Sequence, residues 1–101
     1  MQLNVTTTPQ PTATLADPAD LKSLSVSAPA DVSDDALTAA VAPWGRLDGD
    51  HVWLRIDRLR EAVVDAGTDG GAFDGMIAYA RGAGWVDPAA EHVRAHVERA
   101  G

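Results

Sequence analysis

Val52-Trp53-Leu54-Arg55-Ile56 and His92-Val93-Arg94-Ala95-His96-Val97 alternate apolar with large polar or amphipathic side chains. Period-two alternation is the mark of a strand with one buried face. Val52, Leu54 and Ile56 therefore share one side of the first run, and Trp53 and Arg55 the other. Two helical patterns lie between the runs. Asp57 can cap the first, whose stripe is Leu59, Ala62, Val63 and Ala66, with Gly67 at its end. Phe73, Met76, Ile77, Ala80 and Ala83 form the stripe of the next. Gly75 and Gly82 fall inside it, each costing up to about 1 kcal/mol against alanine, which points to close packing there.

Upstream, Ser33 is a natural helix N-cap, followed by Asp34 and Asp35 where the positive helix end favours carboxylates. Leu37, Ala40, Val41 and Trp44 then recur on one helix face, until Pro43 stops the helix. Asp48-Gly49-Asp50 reads as a turn. Residues 88–100 have two readings. As a helix begun by Asp87-Pro88, they place Ala89, Val93, Val97 and Ala100 on one face. As a strand, they send Val93, Ala95 and Val97 inward and His92, Arg94, His96 and Glu98 outward. Trp85-Val86 with an Asp87-Pro88 turn favours the second, a hairpin.

Residues 1–30 are rich in Thr, Pro, Ser, Ala and Asp, with little aromatic or large aliphatic clustering. Such composition offers little burial against its ordering entropy, so a disordered acidic tail is expected. Within it, residues 21–27 alternate partially and suit either a short edge strand or a flexible segment. The folded part is then 31–101, a size at which burial is marginal. With no cysteine to staple it, self-association or a protein partner is the expected extra support.

Helix, short strand, two helices and a hairpin is an order that resembles a winged helix, covering about residues 33–99. The resemblance is one of pattern rather than of a diagnostic motif. It implies a small α+β domain whose third helix, Phe73 onward, would enter the DNA major groove, with His92 to Val97 as the wing.

The side-chain inventory narrows the chemistry. No serine follows Ser33, no lysine follows Lys22, and no asparagine or glutamine follows Gln10. A Ser or Cys nucleophile, a Schiff-base lysine and a Gly-rich phosphate loop are all absent from that region. Asp65, Asp69 and Gly70 fall at calcium-loop positions one, five and six, but Gly67 and Met76 occupy positions three and twelve, so the motif fails. His92 and His96 could share a metal on a helix; on a strand they stand about 13 Å apart, too far for one ion. No cofactor, metal or catalytic residue is therefore assigned.

The chain carries a formal charge of −7. An acidic chain is repelled by nucleic acid and anionic membranes unless a local patch overrides the mean field. The third helix adds only Arg81 beside Asp74, Ala78 and Tyr79, a poor surface for reading bases. No apolar run is long enough to span a bilayer, and no leader is evident, so a cytoplasmic setting is the default. Trp44 and Trp85 fall on apolar stripes and read as core. Trp53 faces solvent or a partner, or is covered by the tail or first helix. The expectation is a non-catalytic protein-interaction or regulatory accessory module, with Trp53, Arg55, Arg58 and Arg94 contributing the contact surface. A winged-helix DNA-binding regulator is the alternative, and a small enzyme subunit or metal-binding accessory protein the third reading.

Overall fold

The computed structural model describes residues 1–99, which form one mixed six-stranded sheet with three helices packed on one side. In chain order the elements are β1 (Gln2–Thr6), β2 (Thr12–Ala16), β3 (Ser25–Ala28), α1 (Asp34–Val41), β4 (Gly45–Asp48), β5 (His51–Arg55), α2 (Ile56–Asp65), α3 (Gly70–Gly82) and β6 (His92–Arg99). The strand order is β2-β1-β3-β6-β5-β4. β3 runs parallel to both its neighbours, and every other pairing is antiparallel.

This arrangement overturns the winged-helix layout and the disordered tail together. Residues 2–28 supply half of the strands, and β3 lies in the centre of the sheet between β1 and β6. Leu3 and Val26 are fully buried, with Met1, Val5 and Ala28 nearly so. The alternation Leu3-Asn4-Val5 and Val26-Ser27-Ala28 carries that burial, and threonine is itself a good strand residue. Composition alone hides both signals. The Thr68 hydroxyl donates to the Pro18 carbonyl at 3.2 Å and ties this segment to the α2–α3 connection.

The core is built where the strands' inward residues meet the helix stripes. Val52, Leu54, Val93 and Ala95 face Leu37, Val41, Leu59, Val63 and Phe73, all essentially inaccessible to solvent. Burying each large side chain contributes about 1.5–3 kcal/mol. Ser33 caps α1 as its sequence predicts, accepting from the Ala36 amide at 3.1 Å. Asp57, by contrast, is not the cap of α2. That position belongs to Arg55, and the Asp57 carboxylate accepts from the Arg58 amide within the first turn.

Asp69 caps α3 through the Ala72 amide at 3.1 Å. An ion pair from Arg60 Nε to Asp74 Oδ1, at 2.9 Å, joins α2 to α3. Gly75 and Gly82 open onto empty space, with nothing within 4 Å of where a Cβ would stand. Close helix packing therefore does not explain them. Gly45 is the crowded glycine: a side chain there would run into the Trp53 carbonyl across the β4–β5 pair. β4 leaves little mark in the sequence, because its four residues follow Pro43 and Trp44 with only Leu47 as a large apolar side chain.

The last segment takes the strand form. Val93, Ala95 and Val97 point inward, and Val86 makes a single antiparallel bridge to Val93. The turn between them is held by Asp87, whose Oδ1 accepts from the Glu91 and His92 amides at 2.8 and 3.0 Å. Ala100 and Gly101 lie outside the described residues.

Candidate functional site

The helices leave one side of the sheet uncovered. Strand alternation places Gln2, Asn4, Ser25, Ser27, His51, Trp53, Arg94 and His96 there, opposite the buried residues. Register aligns them in rows. Arg46, Trp53 and Arg94 are successive cross-strand partners, as are Asp48, His51, His96 and Ser25.

The four anticipated contact residues are only partly brought together. Trp53 and Arg94 face each other directly on β5 and β6. Trp53 is half-buried; its indole donates to Asp48 Oδ2 at 3.1 Å, and the Arg46 guanidinium stands 5.7 Å from its ring. Arg55 lies farther along the same strand, paired with Asp57 at 3.0 Å. That guanidinium holds the Asp57 carboxyl below the usual carboxylate range, helped by the Arg58 amide. Arg58 is elsewhere: on α2, stacked 4.1 Å over the ring of buried Trp44. A cation–π contact of this kind is a packing role.

Trp85 corrects the sequence reading. It is 42% exposed rather than core, and makes an edge-to-face contact with Tyr79, itself 72% exposed, at 6.1 Å between centroids. The cause is topological. β6 changes neighbour along its length: its first residues take the 85–87 segment, while its later residues take β3. The gap at that change of partner is a groove of about 290 Å³, walled by Leu21, Leu24, Met76, Tyr79 and Trp85, with Arg94 at its side. A second hollow of about 230 Å³ continues from it over His51 and His96, sharing Leu24, Trp85 and Arg94.

Arg94 makes no ion pair or side-chain hydrogen bond among the described residues, whereas Arg55, Arg60 and Arg99 each hold a carboxylate. A half-buried arginine without a carboxylate, flanked by exposed aromatic rings, is a ready receptor for an acidic group.

A third groove, of about 430 Å³, lies between the start of α2 and residues 90–92, lined by Arg55, Asp57, Arg60 and His92. Its basic groups already have partners: Arg55 holds Asp57, Arg60 holds Asp74, and His92 Nδ1 meets Asp87 Oδ2 at 2.8 Å. Burial pushes the Asp87 carboxyl up, but the His92 and Glu91 amides and the His92 ring outweigh it and hold the group below the usual range. That His–Asp pair is a turn-holding contact. Both Asp87 oxygens are occupied, and the chain provides no serine or cysteine after Ser33 for the imidazole to activate.

No protein-family model matches the chain, and no curated protein or solved structure matches it. Among the described residues no helix is long and apolar enough to cross a membrane.

Proposed function

We propose that this protein is a non-catalytic binding module that captures an acidic, apolar segment of a partner protein in the groove between Leu24, Tyr79, Trp85 and Arg94. The observation that carries this reading is the Arg94 guanidinium, without a carboxylate partner among the described residues and sharing a groove with two exposed aromatic rings. On the β1 and β3 part of the open face the side chains are the polar Gln2, Asn4, Ser25 and Ser27, so the exposed rings are concentrated at the β5–β6 end. Tryptophan, tyrosine and arginine are the residue types that dominate binding hot spots. Trp53, cross-strand from Arg94, extends the patch. The inventory argues for binding over turnover: no polar or charged residue is buried among the described residues, and no serine, cysteine or lysine follows Ser33. A cysteine-free acidic chain suits a cytoplasmic setting.

Titration of labelled protein with short acidic-aromatic peptides, followed by amide NMR, tests the proposal. Shifts confined to Leu24, Trp85, Arg94 and their neighbours support it, provided Arg94→Ala and Trp85→Ala each abolish them. Binding of basic peptides instead, or shifts centred on the α2 side, would refute it.

A further inference from the structure

We infer that His51 and His96 form a bidentate site for a late first-row divalent cation, Cu²⁺ or Ni²⁺ above all. The two imidazoles are direct cross-strand partners in the antiparallel β5–β6 pair, so the backbone register fixes their separation. Their ring centroids lie 5.3 Å apart, with the ring planes inclined by 68°. Metal–nitrogen bonds of about 2.0–2.1 Å put each ring centroid about 3.2 Å from a bound ion. Two such ligands then have centroids about 4.5 Å apart at a square angle and about 5.2 Å at a tetrahedral one. The observed spacing is about 0.8 Å wider than the square angle that Cu²⁺ and Ni²⁺ favour, so binding either ion draws the two rings together. In the structure the two rings meet edge to face, and chelation requires side-chain rotation on this uncovered face to turn one nitrogen of each toward a shared ion.

The surroundings suit a water-completed site. No group of three or more His, Asp or Glu side chains converges to hold an ion among the described residues, so the pair supplies two ligands and solvent the others. Asp48, the cross-strand partner of His51, keeps its carboxylate on the Trp53 indole and adds negative charge beside the pair. Glu98 lies two residues beyond His96 on the same strand face, while Arg94 opposes cation entry from the groove side. Imidazole ligands favour copper and nickel over manganese and iron in the usual affinity order. His92, the third histidine, is engaged with Asp87 and takes no part.

Calorimetric titration of the full chain with CuCl₂, NiCl₂ and MnCl₂ at neutral pH is the test, alongside Cu²⁺ broadening of the histidine ring signals by NMR. One ion per chain is expected, with Cu²⁺ bound more tightly than Ni²⁺ and Mn²⁺ not detected. His51→Gln and His96→Gln should each weaken Cu²⁺ at least tenfold, and His92→Gln should leave it unchanged. Broadening should fall first on His51 and His96 in the unaltered protein, a readout that needs no variant to fold. Equal Cu²⁺ binding by the His51→Gln/His96→Gln double variant, or broadening led by His92, overturns the site.

Discussion

The two faces of the sheet are made by the same strands and obey opposite rules. On the helix side Leu3, Val26, Val52, Leu54 and Val93 are sealed against α1, α2 and α3. On the other side the same strands present Asn4, Ser25, His51, Trp53 and Arg94, none of them fully buried. The covered face therefore holds the stability, and the open face has freedom to carry recognition. Apolar side chains on the covered face explain themselves by packing. Trp85 and Tyr79 at the edge of the open face do not, and this contrast makes them candidates for function.

Removing residues 1–30 is the strongest way to test that division. It strips the central strand β3 and the buried Leu3 and Val26 from the sheet, so the shortened chain should lose its cooperative thermal transition in circular dichroism. If the remainder melted cooperatively with unchanged strand content, the N-terminal strands would be an appendage.

Next in size is a paired substitution, one on each side. Phe73→Ala should destabilise by about 3–5 kcal/mol, as for other fully buried aromatic rings, measured by urea denaturation. Trp85→Ala should cost no more than about 1.5 kcal/mol, chiefly its edge contact with Tyr79. Equal losses would erase the distinction between the faces.

A smaller effect of opposite sign is expected on α3. Gly75→Ala meets open space on a helix surface, so it should stabilise by up to about 1 kcal/mol through helix propensity and a less flexible unfolded chain. A fall in the thermal midpoint would mean that this surface is covered.

The weakest prediction concerns acid. The Asp87 carboxyl sits below its ordinary value in the folded chain, so the stability it contributes is present above about pH 4, the unfolded range. That stability is lost as pH falls through the lower folded value. Asp87→Asn should flatten the acid limb of a plot of thermal midpoint against pH. An unaltered acid limb would show that the turn does not depend on the charge.

Much of the helix-covered face is legible in the chain. The stripes Leu37-Ala40-Val41, Leu59-Val63 and Phe73-Ile77-Ala80 are the buried helix residues, and the alternations around Val52 and Val93 are β5 and β6. The N-terminal strands were obscured because threonine and proline content suggests disorder, while Leu3, Val5 and Val26 alternate too briefly to override it. The candidate site was half visible. Trp53 and Arg94 can be named from alternation, but Trp85 cannot, since its position after an apolar helix reads as core. The place of Arg58 is hidden for a related reason: a helix surface position gives no hint that Trp44 lies beneath it.

Local sequence determined where the helices begin and end and which side of each strand is apolar, since caps, prolines and periodicity act within a few residues. Tertiary structure alone decided that β3 joins β1 to β6, that β6 changes neighbour beside Trp85, and that His51 meets His96. Those outcomes depend on strand pairing between segments far apart in the chain, where register is set by how all the inward side chains pack together. No single stretch of residues records that choice.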